Sequence, residues 1–145
     1  MKPKIIVVAR ILLGLVFFVF GLNGFLHFIP QPRMSGPPAD LLGAMMASGY
    51  LFTLVKATEV VCGALLLSGR FVPLALTMLA PVVVNIVAFH AFMAPSGLAV
   101  PIVAVLLGLF LAWSYRSAFR PLLNGRTVPD PSTDAAARPL AGAAR

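Results

Sequence analysis

Lys56-Ala57-Thr58-Glu59-Val60-Val61-Cys62-Gly63 places a cation and an anion inside residues 50 to 69, a run that otherwise has the composition of a membrane span. On insertion scales a charge at the centre of a spanning helix costs roughly 2.5 to 3.5 kcal/mol, whereas each Leu, Val or Phe returns only about 0.3 to 0.6. Two charges nearly cancel the insertion energy of their own helix. Lys56 and Glu59 are three residues apart, so on a helix they share a face and can pair. This predicts a span held among other helices with that face turned inward, and the rest of the chain supplies what surrounds it.

The bulk composition agrees. The 145 residues are 60% hydrophobic and 10% charged, with long uncharged runs, which excludes an ordinary soluble domain. The net charge of +7 does not imply nucleic acid, because the basic residues sit at the ends of apolar segments and no basic groove interleaved with aromatics is present. The lone Cys62 excludes an intramolecular disulfide, a Cys-x-x-Cys redox pair and a cysteine zinc cluster.

Residues 5 to 29 form the first expected span, with Lys2 and Lys4 before it and Arg10 within it. It is too long for a signal peptide and lacks a small-x-small cleavage site, so it reads as a retained helix. Arg10 can snorkel to the interface, and Gly14, Gly21 and Gly24 allow close approach of another backbone. Asn23 and His27, four apart, share a face near its far end. Residues 30 to 38 carry four prolines and a glycine and read as a loop; Ala39 to Ser48 follows as a short interfacial or re-entrant helix, too short to span.

The second expected span is 50 to 69 and the third 71 to 94, with Pro73 tolerated in its first turn and Pro81, which removes a hydrogen bond to Thr77, expected to kink the helix one turn before Asn85. His90 and Pro95 close the third span, and Pro95-Ser96-Gly97 is a tight turn. The fourth, 98 to 115, ends in Trp113-Ser114-Tyr115-Arg116, an aromatic belt followed by basic residues. Residues 121 to 145 are poor in large apolar side chains and are expected to be a disordered tail, leaving 1 to 120 as the membrane domain. The expected fold is all-α: a polytopic four-helix transmembrane bundle with one short interfacial or re-entrant helix between the first and second spans.

Four spans put both termini on one side. Lys2, Lys4, Arg10, Arg70, Arg116, Arg120 and Arg126 fall on that side and Arg33 alone on the other, which predicts cytoplasmic termini in a bacterial inner membrane. At about 1.5 Å per residue, Glu59 lies roughly 16 Å and Lys56 and Asn85 about 21 Å from the inner surface; Asn23 and His27 reach about 20 and 26 Å. Polar groups from three helices are thus expected to converge in the outer half of the bilayer. Asn85 and His90 are separated by about 140° around their helix, so both face the interior only with distortion near Pro81.

Gly-Leu-Asn-Gly-Phe-Leu-His-Phe-Ile-Pro at 21 to 30, Gly-Tyr-Leu-Phe-x-Leu-Val-Lys-x-x-Glu at 49 to 59, Gly-Arg-Phe-Val-Pro-Leu-Ala-Leu at 69 to 76 and Pro-x-x-x-Asn-Ile-x-x-Phe-His at 81 to 90 together resemble the DoxX family of small four-helix membrane proteins, from about Arg10 to Trp113. The family is named for similarity to the membrane subunit of an archaeal thiosulfate:quinone oxidoreductase. Some bacterial members are linked to complexes handling oxidative and thiol stress, and more distant relatives look like membrane assembly factors. The resemblance implies the fold more than any activity.

Glu59 and Lys56 are the candidate catalytic residues: either a proton-exchanging, ligand-anchoring pair or a buried ion pair that sets helix register. Asn23, His27, Asn85 and His90 are the candidate ligand contacts, the two asparagines being more often interhelical hydrogen-bond glue. Neither a metal site nor a haem is expected, for want of a tight ligand motif. There is no paired carboxylate, Ser-His-Asp set, phosphate loop or dinucleotide fingerprint. The expected function is a redox-associated membrane subunit whose ligand is a quinone, with a polar pocket in the outer half of the bilayer; the alternative is a non-catalytic assembly factor or anchor. Expected partners are the lipid bilayer, a membrane or redox protein, or a second copy of the chain, and no nucleic acid.

Overall fold

The computed structural model describes residues 3–30 and 34–126. The described residues are helical, with no strand among them: α1 (Pro3–Leu26), α2 (Pro37–Ala47), α3 (Leu51–Ser68), α4 (Val72–Phe92), α5 (Ala99–Ser114) and the single turn α6 (Arg116–Phe119), with short 3-10 turns at Pro95–Gly97 and Pro121–Leu123. α1, α3 and α4 are long and apolar enough to cross a membrane. α5, at 16 residues, is shorter, and the helical turns that follow it bend away by 77°. The protein is an integral, multi-pass helical membrane bundle, as its composition requires: within lipid a helix satisfies its own backbone hydrogen bonds.

The ends of the elements follow local chemistry. α3 stops at Gly69, which adopts φ 74°, and α4 starts with Pro73 in its first turn. α2 begins at Pro37 instead of the expected Ala39, since both prolines fit the first turn, where no backbone donor is needed. α4 continues through Pro81 without a break. The first and fourth spans are shorter than expected, ending at Leu26 and Ser114. Of the expected disordered tail, residues 121–126 carry the Pro121–Leu123 turn, and 127–145 lie outside the described residues, as do Lys2 and Arg33.

α1 and α3 form the principal pair, with α4 and α5 packed against them and α2 resting on α3. Because lipid tails are as apolar as leucine, close packing and hydrogen bonds, not hydrophobic burial, hold such helices together. Glycine from both helices makes this contact close. A Cβ on Gly63 would lie 2.6 Å from the backbone N of Phe18, and one on Gly14 would lie 3.1 Å from the backbone N of Leu67. Arg10, instead of snorkelling outward, donates from Nη1 to the Leu66 carbonyl at 3.0 Å and lies against Gly69, so the cation of α1 caps the C-terminal end of α3.

The apolar core is concentrated at this Arg10 end. Ala9, Leu13 and Phe17 of α1, Cys62 and Leu66 of α3, Ala104 and Leu111 of α5 and four residues of α4 make it up. Those four are Val72, Ala75, Leu76 and Leu79, all from the first half of α4. The second half of α4 buries none of its residues fully.

Candidate functional site

Lys56 Nζ donates to Glu59 Oε2 at 2.8 Å. The pair is asymmetric: the Glu59 side chain is 3% exposed and that of Lys56 21%. The i, i+3 spacing on α3 brings them together, and α1 supplies the surface on which they lie. A Cβ on Gly21 would meet Glu59 Cβ at 3.0 Å, and one on Gly24 would fall 2.5 and 2.6 Å from Lys56 Cγ and Cδ. The lysine stem therefore lies in the place a Gly24 side chain would occupy. Phe52, one turn earlier on α3, puts its ring centroid 5.9 Å from Nζ, at the outer range of a cation–π contact. Among the described residues Lys56 is the sole hydrogen-bond partner of Glu59, and one of the three ammonium donors is engaged by it.

The other candidates do not join this pair. Asn23 is buried, but Ile29 N–H donates to its Oδ1 at 2.6 Å and its Nδ2 donates to the Ile29 carbonyl at 3.3 Å. The reason is local: α1 ends at Leu26, its last carbonyls lack helical partners, and the nearby amide secures the turn that follows. His27 lies within that turn, exposed, at φ 52° and with its N–H donating to the Asn23 carbonyl at 2.9 Å. His90 is half-buried; its Nδ1 is 2.8 Å from the Ile86 carbonyl, and its ring lies against Gly97, where a Cβ would come within 3.0 Å of Nε2. Asn85 is exposed on the outside of α4 and lines a cleft with Leu41, Ala88, Phe89, Phe92 and Met93. The expected convergence of polar groups from three helices thus reduces to one ion pair, because each buried amide or imidazole took the nearest backbone carbonyl or N–H.

A cleft of about 320 Å³ opens between α4 and α5, lined by apolar side chains such as Phe17, Leu79, Ala80, Val84 and Leu109, with Thr77 and Gly108. Neither cleft contains Lys56 or Glu59. Among the described residues no group of three His, Cys, Asp or Glu side chains is placed to hold a metal ion. The roles of Gly63, Gly97 and Phe52 escaped the sequence reading. Gly63 carried a signal, since it lies in the register where α3 must face the glycines of α1.

The geometry of Asn23 and His27 leads to an expected result. Asn23→Ala removes both bonds to Ile29 and is expected to lower stability by about 1 to 2 kcal/mol. His27→Gly removes a side chain held at positive φ and is expected to leave the melting temperature in detergent unchanged or raised.

The model of the DoxX family matches residues 5–94. The chain belongs to the DoxX family. No curated protein and no solved structure matches it. The matched region of this DoxX protein runs through α1 to α4 and includes Arg10, the α1 glycines, Lys56, Glu59 and the Asn85–His90 segment, with α5 beyond it.

Proposed function

We propose that this DoxX protein is a redox-associated subunit of the bacterial inner membrane, both termini cytoplasmic, whose Lys56–Glu59 pair meets a quinone. One observation carries the reading: a lysine within a membrane span whose ammonium keeps donors beyond its ion pair and whose side chain is partly exposed, beside a shielded carboxylate. An intramembrane ionisable pair is a functional candidate by default, and an N–H donor at the lipid-facing surface suits a carbonyl acceptor. A quinone supplies electron transfer coupled to proton uptake when bound. Lys56 holds and orients the carbonyl, and Gly24 fixes the direction from which it does so. The Lys56 ammonium donates the proton to the carbonyl oxygen, and the Glu59 carboxylate that accepts its hydrogen bond favours reprotonation of the amine so formed. The ring is met at the flank of the α1–α3 pair, from the lipid side, where the Lys56 side chain is partly exposed. The Arg10, Gly69 and Arg70 end of the bundle is basic, which supports the cytoplasmic orientation.

The test is mass spectrometry of quinone extracted from protein purified in a mild detergent. Stoichiometric quinone that is lost in folded Glu59→Gln supports the reading. Gly24→Ala keeps both charges but displaces the lysine stem, and is expected to lower the quinone retained several-fold. Absence of quinone from all samples, with the variants folded, favours the second reading, a non-catalytic assembly factor or anchor. A specific observation favours that reading too: the cleft of about 320 Å³ between α4 and α5 is lined almost wholly by apolar side chains and does not include the charged pair. Partners cross-linked to the chain would then survive Glu59→Gln.

A further inference from the structure

The exposed side of α4 is ordered. Leu74, Met78, Pro81, Asn85, Ala88 and Phe92 follow one another at spacings of four and three residues in alternation, the spacing that keeps a single stripe facing a neighbouring helix in a left-handed pair. All but the half-buried Ala88 are exposed, Phe92 to 86%, and the stripe faces away from the Val72–Leu79 side that enters the core. Any one face of an α-helix recurs at these spacings, so it is the amide that sets this face apart: lipid offers Asn85 no hydrogen-bond partner. Asn85 lies about 20 Å along α4 from Val72, inside the hydrocarbon depth, and makes no hydrogen bond among the described residues. An intramembrane amide without a partner is costly, and amides bond across helices.

We infer that this stripe is the interface of a parallel homodimer, in which Asn85 of one copy bonds Asn85 of the other. The amide itself identifies the occupant. A carboxamide carries both donor and acceptor and is complementary to itself. Every copy inserts in the same orientation, so a two-fold axis stands along the membrane normal and equivalent residues meet at equal depth. A stripe along that axis brings Met78 to Met78 and Asn85 to Asn85. A single polar position within an otherwise apolar seam sets register, because any slip separates the two amides. Beside the stripe, the cleft formed by Leu41, Ala88, Phe89 and Met93 borders the protruding Phe92, giving the knob and adjoining hole that an isologous interface requires.

The test uses the full chain in liposomes, in a Cys62→Ala background. Met78→Cys and Ala88→Cys are oxidised with copper phenanthroline beside Leu106→Cys, which is exposed on α5, and dimer fraction is followed by single-molecule photobleaching as protein is diluted in lipid. Met78→Cys and Ala88→Cys are expected to cross-link at least several-fold more than Leu106→Cys. Asn85→Val is expected to weaken dimerisation about threefold to thirtyfold, and Asn85→Gln, which keeps the amide, to weaken it less. Size-exclusion elution of each variant reports folding, which an outward-facing substitution leaves intact. A monomer throughout, cross-linking no greater than at Leu106→Cys, or a dimer fraction indifferent to Asn85→Val overturns the proposal.

Discussion

Lys56→Met is expected to destabilise the protein by about 3 to 5 kcal/mol, because it leaves the buried Glu59 carboxylate without its one partner among the described residues. Removing one member of a buried pair costs far more than the pair contributes, since the partner left behind has lost both water and its counter-ion. The double variant Lys56→Met, Glu59→Met is expected to recover most of that loss, as apolar replacements of a buried pair are often neutral. The inverse single change is milder. In Glu59→Gln the charge left behind is on Lys56, already 21% exposed and able to extend its ammonium to the interface. Reversible unfolding in mixed detergent micelles measures all three. If Lys56→Met were as stable as the parent, Glu59 would have taken up a proton or gained the solvent access that its 3% exposure denies, and the ion pair would not be what holds it in place.

Gly63→Ala is the second large effect expected, near the upper end of the roughly 1 to 3 kcal/mol that overpacking costs, and Gly63→Val is expected to abolish folded protein. The new Cβ would stand 2.6 Å from the backbone N and 2.8 Å from the Cα of Phe18, so no side-chain rotation relieves it and α1 must move off α3. At Gly24, by contrast, the obstacle is the flexible stem of Lys56, so substitution there moves a functional side chain more than the helices. Gly43 and Gly108 have no atom within 4 Å of an added Cβ, and Gly→Ala at either is expected to be neutral or stabilising by up to about 1 kcal/mol. Thermal unfolding of the four variants in one detergent orders them: Gly63 far below the parent, Gly24 between, Gly43 and Gly108 at or above it.

Much of the fold was legible because its signals are local. Runs of apolar residues, the prolines at 37, 38, 73 and 95, and the glycine at 69 each act within a turn of where they stand, and the helices begin and end close to them. The Lys56–Glu59 contact was legible for the same reason, being an i, i+3 pair on one helix. The fates of Asn23, His90 and Asn85 were not, since depth along a helix places a residue at a level but leaves its direction open. His27 shows how close the margin is: one residue beyond the end of α1, its backbone turns to positive φ and carries its side chain out of the bundle.

By itself the sequence determined that this is a helical membrane protein of the DoxX type, roughly where its long helices lie, and that one cation and one anion pair within a span, because insertion energy and helical spacing depend only on residues near in the chain. Only the tertiary structure decided what those helices present to one another. It closed α1 onto α3 through Gly14, Gly21, Gly24 and Gly63, gave Arg10 to the end of α3, withdrew Asn23 into a turn and left the Asn85 stripe facing outward. These outcomes depend on rotation about each helix axis, and within lipid, where apolar burial favours no particular rotation, close backbone contact and the search of each polar group for a partner set it.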